Sequence, residues 1–322
     1  MLIDYNFSNT KMFEILEILK QDLFIITDLK TKSEISFEVF NPDLSSHSYA
    51  GQSIIIDNQE YIYRGYKSWT DLAEILYCKM STPIIKSSHT VLLKFTKLDQ
   101  DISFHKNYIE EKSEKYGIDS DFSSINKNEE PAFLEHYIRA LKNVNINKKA
   151  RILNLGINSG DEFEIIKSLC ANINDKEFVG IDFCQSAIQI ARSRFNESNF
   201  TFYSHDINHL DELELGKFDL IITIGTLQSS GLEFKPLFES IVQRYLEKDG
   251  AMIIGFPNCR WIDGEMIYGA KAPNYNFSEH TLLYKDVYFC KKYLQQKKFR
   301  VSITGKNYPF LTATSIRKIA SN

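Results

Sequence analysis

The sequence of 322 residues predicts an α/β protein, in which a small α+β domain precedes a doubly wound sheet that ends in an antiparallel β-hairpin. Three observations predict this fold class. From residue 150 onward, β-prone and helical segments alternate, which is typical of parallel βαβ units. The last two β-prone runs, 299–304 and 308–314, are joined by only three residues, whereas a parallel crossover needs a dozen or more. Residues 1–100 show no such alternation.

The elements of the N-terminal domain are predicted from local patterns. Apolar residues have helical spacing in 11–20, and Ser68 with Asp71 resembles a capping box that predicts a helix continuing to residue 80. Runs rich in β-branched and aromatic residues predict strands over 22–29, 33–40, 53–56, 60–64 and 90–95. We assign this α+β accessory module to residues 1–100, and it contains no motif that indicates a function.

A highly charged stretch, 101–130, follows and predicts a linker or helical connector, with an exposed helix over 106–115. Pro131 suits the first turn of a helix over 132–141, which begins the third segment, 131–322. In this segment we predict strands over 151–155, 178–182, 200–203, 218–224 and 250–256, and helices over 161–171, 185–195, 234–247 and 285–297.

Composition excludes several classes of protein. The chain is 43% hydrophobic and 25% charged with a formal net charge of −4, as in ordinary globular proteins. It has no apolar run of about 20 residues and no signal-peptide pattern. Its five cysteines form neither a CxxC pair nor a Cys/His cluster, so we expect buried thiols, no metal site and no disulfide framework. We therefore expect a cytoplasmic protein without a membrane span.

The most informative motif lies in 151–182. An apolar run ends in the turn Gly156-Ile157-Asn158-Ser159-Gly160, a helical pattern follows, and a second apolar run ends on Asp182. Glycines in such a turn let backbone N–H groups approach a ligand, and an acid after the second strand can accept hydrogen bonds from ribose hydroxyls. The motif therefore predicts a site for a cofactor that contains a nucleoside.

With its alternating elements and terminal hairpin, the segment 130–316 resembles the class I S-adenosylmethionine-dependent methyltransferases, which have a Rossmann-like domain. The stretch NLGINSG (154–160) looks like the family's glycine motif, which wraps the methionine part of the cofactor. Asp182 matches the acid that holds the ribose, and Asp206 matches the residue that meets the adenine amino group. The stretch 217–228 looks like the fourth strand and the loop that faces the methyl donor.

This resemblance implies a methyltransferase whose cofactor is S-adenosylmethionine and whose product is S-adenosylhomocysteine. The implied cofactor contacts are Asn154, Gly156, Asn158, Gly160, Asp182, Phe183, Asp206, Ile207 and Gly225. The chain departs from the family pattern twice, with Asn154 where an acid is usual and Asn158 where glycine is usual. Asparagine tolerates a positive φ, so we expect the turn to form. A NAD-dependent reductase fits less well, because the third glycine of its fingerprint is missing.

Candidate residues for the acceptor follow the fourth and fifth strands. Thr226 and Gln228 lie in the loop after the fourth strand, where acceptor-positioning residues usually lie in this fold, and His280 is a candidate general base. The long segment 262–281 is predicted to be an irregular substrate lid. Candidate substrate contacts in and before this lid are Asn258, Arg260, Tyr268 and Tyr275.

The sequence leaves the acceptor open between a small molecule and RNA. Lys291, Lys292, Lys297, Lys298, Arg300 and Lys306 form a basic cluster that could contact RNA, although lysines at a helix C-terminus also complement the helix dipole. One alternative is thus an RNA-modifying methyltransferase of tRNA type that binds RNA through the N-terminal module. Another is a non-catalytic protein that binds S-adenosylmethionine. The oligomeric state is unknown from sequence.

Overall fold

The computed structural model describes residues 4–27, 34–44, 47–102, 125–229, 231–269 and 280–317. The chain divides into two compact units. The first contains residues 1–103 and 261–267, and the second contains 104–260 and 268–322. The predicted helix over 106–115 lies outside the described residues.

The first unit is a mixed sheet with two helices. Its elements are β1 (Asp4–Asn6), α1 (Met12–Thr27), β2 (Glu34–Phe40), β3 (Ser53–Ile56), β4 (Gln59–Ile62), α2 (Tyr66–Ile75), β5 (Cys78–Met80), β6 (Ile84–Ile85) and β7 (Thr90–Lys97). The main sheet has the order β1-β2-β7-β5, with β6 also on β7, and only β1 and β2 are parallel. Phe37, Trp69 and Phe95 lie at the centre of its core.

Two predictions for this unit are wrong. The strand predicted over 22–29 belongs to α1 as far as Thr27, because Ile15, Leu19 and Leu23 recur every four residues and are all buried. Burial of this helical face overrides the β-prone composition of the segment. Helix α2 begins at Tyr66, with Gly65 as its N-cap and no side-chain cap, so Ser68 lies within the helix. It ends at Ile75, and the last residues of the predicted helix form β5 instead.

From residue 125 onward the elements form one α/β unit and a short hairpin. They are α3 (Pro131–Asn143), β8 (Arg151–Leu155), α4 (Asp161–Leu169), β9 (Glu177–Asp182), α5 (Gln185–Arg194), β10 (Phe200–Ser204), β11 (Phe218–Ile224), α6 (Phe234–Arg244), β12 (Leu246–Gly255), β13 (Cys259–Ile262), β14 (Glu265–Tyr268), α7 (His280–Gln296), β15 (Phe299–Thr304) and β16 (Phe310–Ser315).

The central sheet has seven strands in the order β10-β9-β8-β11-β12-β16-β15. The first five are parallel, and β16 runs antiparallel to both β12 and β15. The predicted doubly wound sheet and its terminal hairpin are therefore confirmed.

Helices cover both faces of this sheet. Phe238 of α6 and Leu294 of α7 share one core with the strand residues Leu155 and Leu311. On the opposite face, the ring of Phe163 in α4 lies 5.1 Å from that of Phe178 in β9, measured between centroids. Alternate residues of each strand thus enter different cores, as expected for a sheet buried on both sides. Among the described helices, none is long and apolar enough to cross a membrane.

Candidate functional site

The candidate site lies at the edge of the sheet where the parallel strands β8–β12 have their carboxyl ends. Gly156 follows β8, Asp182 ends β9, and Asp206 comes two residues after β10. Gly225 follows β11 and Asn258 comes three residues after β12. Carboxyl ends of neighbouring parallel strands meet at one edge, which is where ligands bind in open α/β sheets.

The glycine turn is held against β9 by its backbone. The amide of Gly156 donates to the carbonyl of Ile181 at 2.8 Å. Gly156, Asn158 and Gly160 have φ angles of +75°, +49° and +97°, all in the left-handed region. Asn158 therefore adopts the conformation that glycine usually supplies, as expected for the residue type that best tolerates it after glycine.

Close contacts explain the glycines at both ends of the turn. A Cβ added to Gly156 would lie 1.9 Å from Oγ1 of Thr226, and one added to Gly160 would lie 2.5 Å from the ring of Phe195. The hydroxyl of Thr226 donates to the carbonyl of Leu155 at 3.0 Å. Thr226, predicted as a catalytic residue, thus holds the glycine turn against β11.

The carboxylate of Asp182 connects the ends of β8 and β9. It accepts a hydrogen bond from the amide of Asn158 at 2.9 Å and another from the amide of Cys184 at 2.9 Å. Burial raises the pKa of the Asp182 carboxyl, although these backbone donors and the charge of Lys127 oppose the rise. The side chain is only partly buried, so its oxygens can accept further hydrogen bonds from a ligand.

The residues predicted to surround an adenine lie beside Asp182. The amide of His205 donates to the carbonyl of Asp182 at 2.9 Å, which aligns the ends of β9 and β10. Asp206 then caps a 3₁₀ turn by accepting from the amide of Asn208 at 2.9 Å. Ile207 is buried, whereas Phe183 leaves 57% of its surface exposed. An exposed ring next to an acid that is predicted to bind a ribose can pack on a planar base.

A buried ion pair supports the start of α4 and was not predicted. The Nζ of Lys127 lies 3.3 Å from a carboxylate oxygen of Glu162, and both side chains are largely buried. Burial raises the pKa of Glu162, and Lys127 counteracts this rise. A second contact joins the same regions, because Asn128 donates to the carbonyl of Asp161 at 3.0 Å. No motif marks a lone lysine within a charged connector, so this pair could not be predicted from the sequence.

Three side-chain amides at this edge have buried polar atoms without a hydrogen-bond partner among the described residues. Asn154 and Asn258 are 1% and 4% exposed, and Nδ2 of the first and Oδ1 of the second have no hydrogen-bond partner among the described residues. Both polar atoms of the Gln228 side chain are also buried without a hydrogen-bond partner among these residues. Buried polar groups are nearly always paired, so such a set indicates a ligand that supplies the missing partners. Asn154, next to the glycine turn, fits a polar nucleoside cofactor, whereas Gln228 and Asn258 follow β11 and β12 and fit a second polar ligand.

The predicted irregular lid is wrong for its first part. Strands β13 and β14 form a hairpin there, joined by Asp263 and Gly264 at φ angles of +48° and +80°. Such values are typical of the type I′ turn, for which Asp-Gly is a strong signal. Arg260 and Tyr268 thus lie on paired strands. Tyr275 and the side chain of His280 lie outside the described residues.

The hairpin tip belongs to the first unit. Ile262 and Ile267 form a small buried cluster with Leu98. The amide of Asp263 also donates to the carbonyl of Ile102 at 2.9 Å. No group of three or more His, Cys, Asp or Glu residues that could hold a metal ion occurs in the part of the chain that is described.

Comparison with known proteins identifies the second unit. Residues 146–302 match a family model described as a methyltransferase domain. The second unit therefore contains a methyltransferase domain, and the predicted family and its cofactor, S-adenosylmethionine, are confirmed for this domain. No curated protein sequence matches the chain.

Several solved structures are similar to this chain at low identity. A methyltransferase from Aquifex aeolicus is 16% identical, with a TM-score of 0.42, over 60% of this chain and 98% of its own. Ribosomal protein L11 methylase from Lactobacillus delbrueckii subsp. bulgaricus is 13% identical, with a TM-score of 0.39, over 56% of this chain and 78% of its own. Magnesium protoporphyrin IX methyltransferase from Synechocystis PCC 6803, with bound S-adenosylmethionine, is 16% identical, with a TM-score of 0.38, over 62% of this chain and 87% of its own.

Proposed function

We propose that this enzyme methylates a polar acceptor, a small molecule or RNA, bound against the loops that follow β11 and β12. The observation that carries the proposal is that both polar atoms of the Gln228 amide and Oδ1 of Asn258 are buried without a hydrogen-bond partner among the described residues. Each would require a hydrogen-bonding group from a ligand, because an unpaired buried amide costs about 1–3 kcal/mol. They follow adjacent strands, and the amide of Gly225 donates to the carbonyl of Gly255 at 2.9 Å.

The cofactor would be held by residues of the first three parallel strands. Asp182 would accept hydrogen bonds from the ribose hydroxyls. The left-handed turn from Gly156 to Gly160 would contact the methionine part of the cofactor. The adenine would be surrounded by Asp206, Ile207 and Phe183. The amide of Asn154 would meet the amino-acid end. When bound, S-adenosylmethionine supplies an electrophilic methyl group on a sulfonium sulfur.

The protein's own contribution to the reaction would be alignment. The acceptor atom must lie about 3–3.5 Å from the methyl carbon and in line with the sulfur. Gln228 and Asn258 would orient the acceptor, with Arg260, Tyr268 and Tyr275 as further contacts. Thr226 would act indirectly, since its hydroxyl already donates to Leu155. A general base is required only for an acceptor that arrives protonated, and His280 is the candidate.

Replacing Gln228 by methionine tests the acceptor site, because methionine keeps the length of the side chain and removes the amide. If the amide serves a ligand, Gln228→Met should leave stability unchanged or slightly higher. The same change should lower kcat/KM by about tenfold to a hundredfold, as expected for one or two lost hydrogen bonds. Gln189→Met, at an exposed position of α5, is the matched control.

The acceptor itself can be found with methyl-labelled cofactor. The enzyme is incubated with cell extract, and RNA, protein and metabolite fractions are separated and counted. Label in one fraction identifies the acceptor class, and its loss with Gln228→Met but not with Gln189→Met supports the site. Tight cofactor binding without label in any fraction would instead favour a non-catalytic protein.

A further inference from the structure

The C-terminal part of the second unit differs sharply in charge from the whole chain. Residues 280–317 contain eight Lys or Arg residues and one acid, a formal charge of +7, although the complete protein has a net charge of −4. The single acid, Asp286, is half-buried and lies close to Lys235 and Lys285. Ordinary solvated surfaces mix both signs of charge, so this segment offers a local positive surface.

Exposed aromatic rings lie on the same helix as many of these charges. Tyr284 and Tyr288 are four residues apart in α7 and are each 59% exposed. The Nζ of Lys292, one turn further, lies 5.6 Å from the centre of the Tyr288 ring. The opposite side of the helix is buried in the core, so these rings face away from it.

Further basic residues follow the end of α7, and Lys297 lies about half a turn around the helix from Tyr288. Lys297 lies in the turn that leads into β15, and its Nζ is 5.3 Å from the centre of the Tyr293 ring. Arg300 follows as an exposed residue of β15, which is the last strand of the sheet. The helix dipole accounts for lysines in a last turn. It accounts neither for Arg300 nor for the two exposed tyrosines.

We propose that this surface binds a single strand of nucleic acid. The α7 surface is defined as Tyr284, Tyr288, Lys291 and Lys292, which lie within about 100° of one another around the helix. Its cations would contact phosphates and its two tyrosines would stack on bases, which is the combination that single-strand-binding proteins use. From Tyr284 to Lys292 the helix rises about 12 Å, enough for a few nucleotides. An anionic membrane or an acidic protein would need no exposed stacking rings.

Fluorescence anisotropy of the full-length protein with a labelled 12-nucleotide oligo-uridine tests this proposal. Binding should weaken as salt rises, with a log–log slope near −0.7 for each phosphate neutralised. Tyr284→Ala with Tyr288→Ala should weaken binding at least tenfold and leave that slope unchanged. Lys291→Gln with Lys292→Gln should make the slope shallower by about 1.4.

Matched controls exist in the same unit. Lys142 and Lys148 are exposed lysines outside the surface, and their double replacement by glutamine should leave the affinity close to that of the wild type. Equal losses in both lysine pairs would overturn the proposal, as would an affinity that does not change without the tyrosines. Absence of binding to any oligonucleotide, with binding to anionic phosphatidylserine vesicles, would also overturn it.

An oligo-deoxythymidine of the same length distinguishes the two sources of a single strand. Equal affinity indicates recognition through bases and phosphates alone, and tighter binding of RNA indicates contacts to the 2′-hydroxyl. Either result supports the proposal. Binding is measured without cofactor, so its failure would leave the proposed methyl transfer untouched.

Discussion

Gly156→Ala tests the packing that shapes the glycine turn. An L-residue at a φ of +75° costs about 1–2 kcal/mol from backbone strain. The new Cβ would lie 1.9 Å from Oγ1 of Thr226, whose hydroxyl is held by the carbonyl of Leu155. Overpacking of this kind costs about 1–3 kcal/mol more. We therefore expect the free energy of unfolding of the second unit to fall by roughly 2–5 kcal/mol.

Gly231→Ala separates the two contributions. Gly231 has a φ of +94°, and a Cβ there would meet no atom within 4 Å, so only the backbone cost applies. Urea unfolding should be followed by circular dichroism, because both tryptophans, Trp69 and Trp261, belong to the first unit. Equal costs for Gly156→Ala and Gly231→Ala would refute the steric reasoning. Adding Thr226→Ala to Gly156→Ala should recover part of the loss.

Three further predictions concern charged and ionisable groups. Burial raises the pKa of Asp182, and the proposed contact with the ribose requires the ionised carboxylate. Affinity for S-adenosylhomocysteine should therefore fall on acidification from a higher pH than the ordinary aspartate pKa of 3.8 implies. Calorimetry across pH 4–8 that shows constant affinity would contradict this. Lys127→Met should destabilise the second unit by about 3–5 kcal/mol, since it leaves the Glu162 carboxylate buried and unpaired. Adding Glu162→Gln to Lys127→Met should restore most of the lost stability. If the destabilisation of the double variant equals the sum of the two single variants, the residues are not coupled. The Tyr5 hydroxyl donates a hydrogen bond to Asp22 at 2.6 Å, which raises the pKa of Tyr5 from 10.0 to about 12. This bond should therefore stabilise the folded protein fully below pH 10, and the stabilisation should be lost as the pH rises through 12. By tryptophan fluorescence, Tyr5→Phe should cost about 1 kcal/mol at pH 8 and nothing above pH 12, and a cost that does not change with pH would contradict the assignment.

The central sheet could be predicted because its strands are buried on both faces. Strands β8 and β11 have the bounds expected from their apolar runs, and β9 begins one residue earlier than expected. Buried parallel strands are nearly continuous apolar runs and therefore stand out in a sequence. The left-handed conformation of Asn158 was also expected, from the tolerance of asparagine for positive φ.

The errors have local physical causes. Helix α1 extends through a β-prone stretch because its apolar face is buried, and no propensity records that burial. The Asp263-Gly264 pair is a strong signal for a β-hairpin turn. It lies within 262–281, a segment whose length alone predicts an irregular lid. The Lys127–Glu162 pair depends on packing between residues 35 positions apart, which one sequence does not reveal. The same holds for the contact of Thr226 with Gly156.

Calorimetric titration of the protein with S-adenosylhomocysteine tests the cofactor site most directly. The wild type should bind one molecule per chain. Asp182→Ala should weaken binding by at least about a hundredfold, since it removes two acceptors that would make charge-assisted hydrogen bonds of about 1.5–3 kcal/mol each. Asp211→Ala, at an exposed acid of the same unit, should leave the affinity unchanged. Equal affinities for the wild type and Asp182→Ala would contradict the cofactor site described for this enzyme.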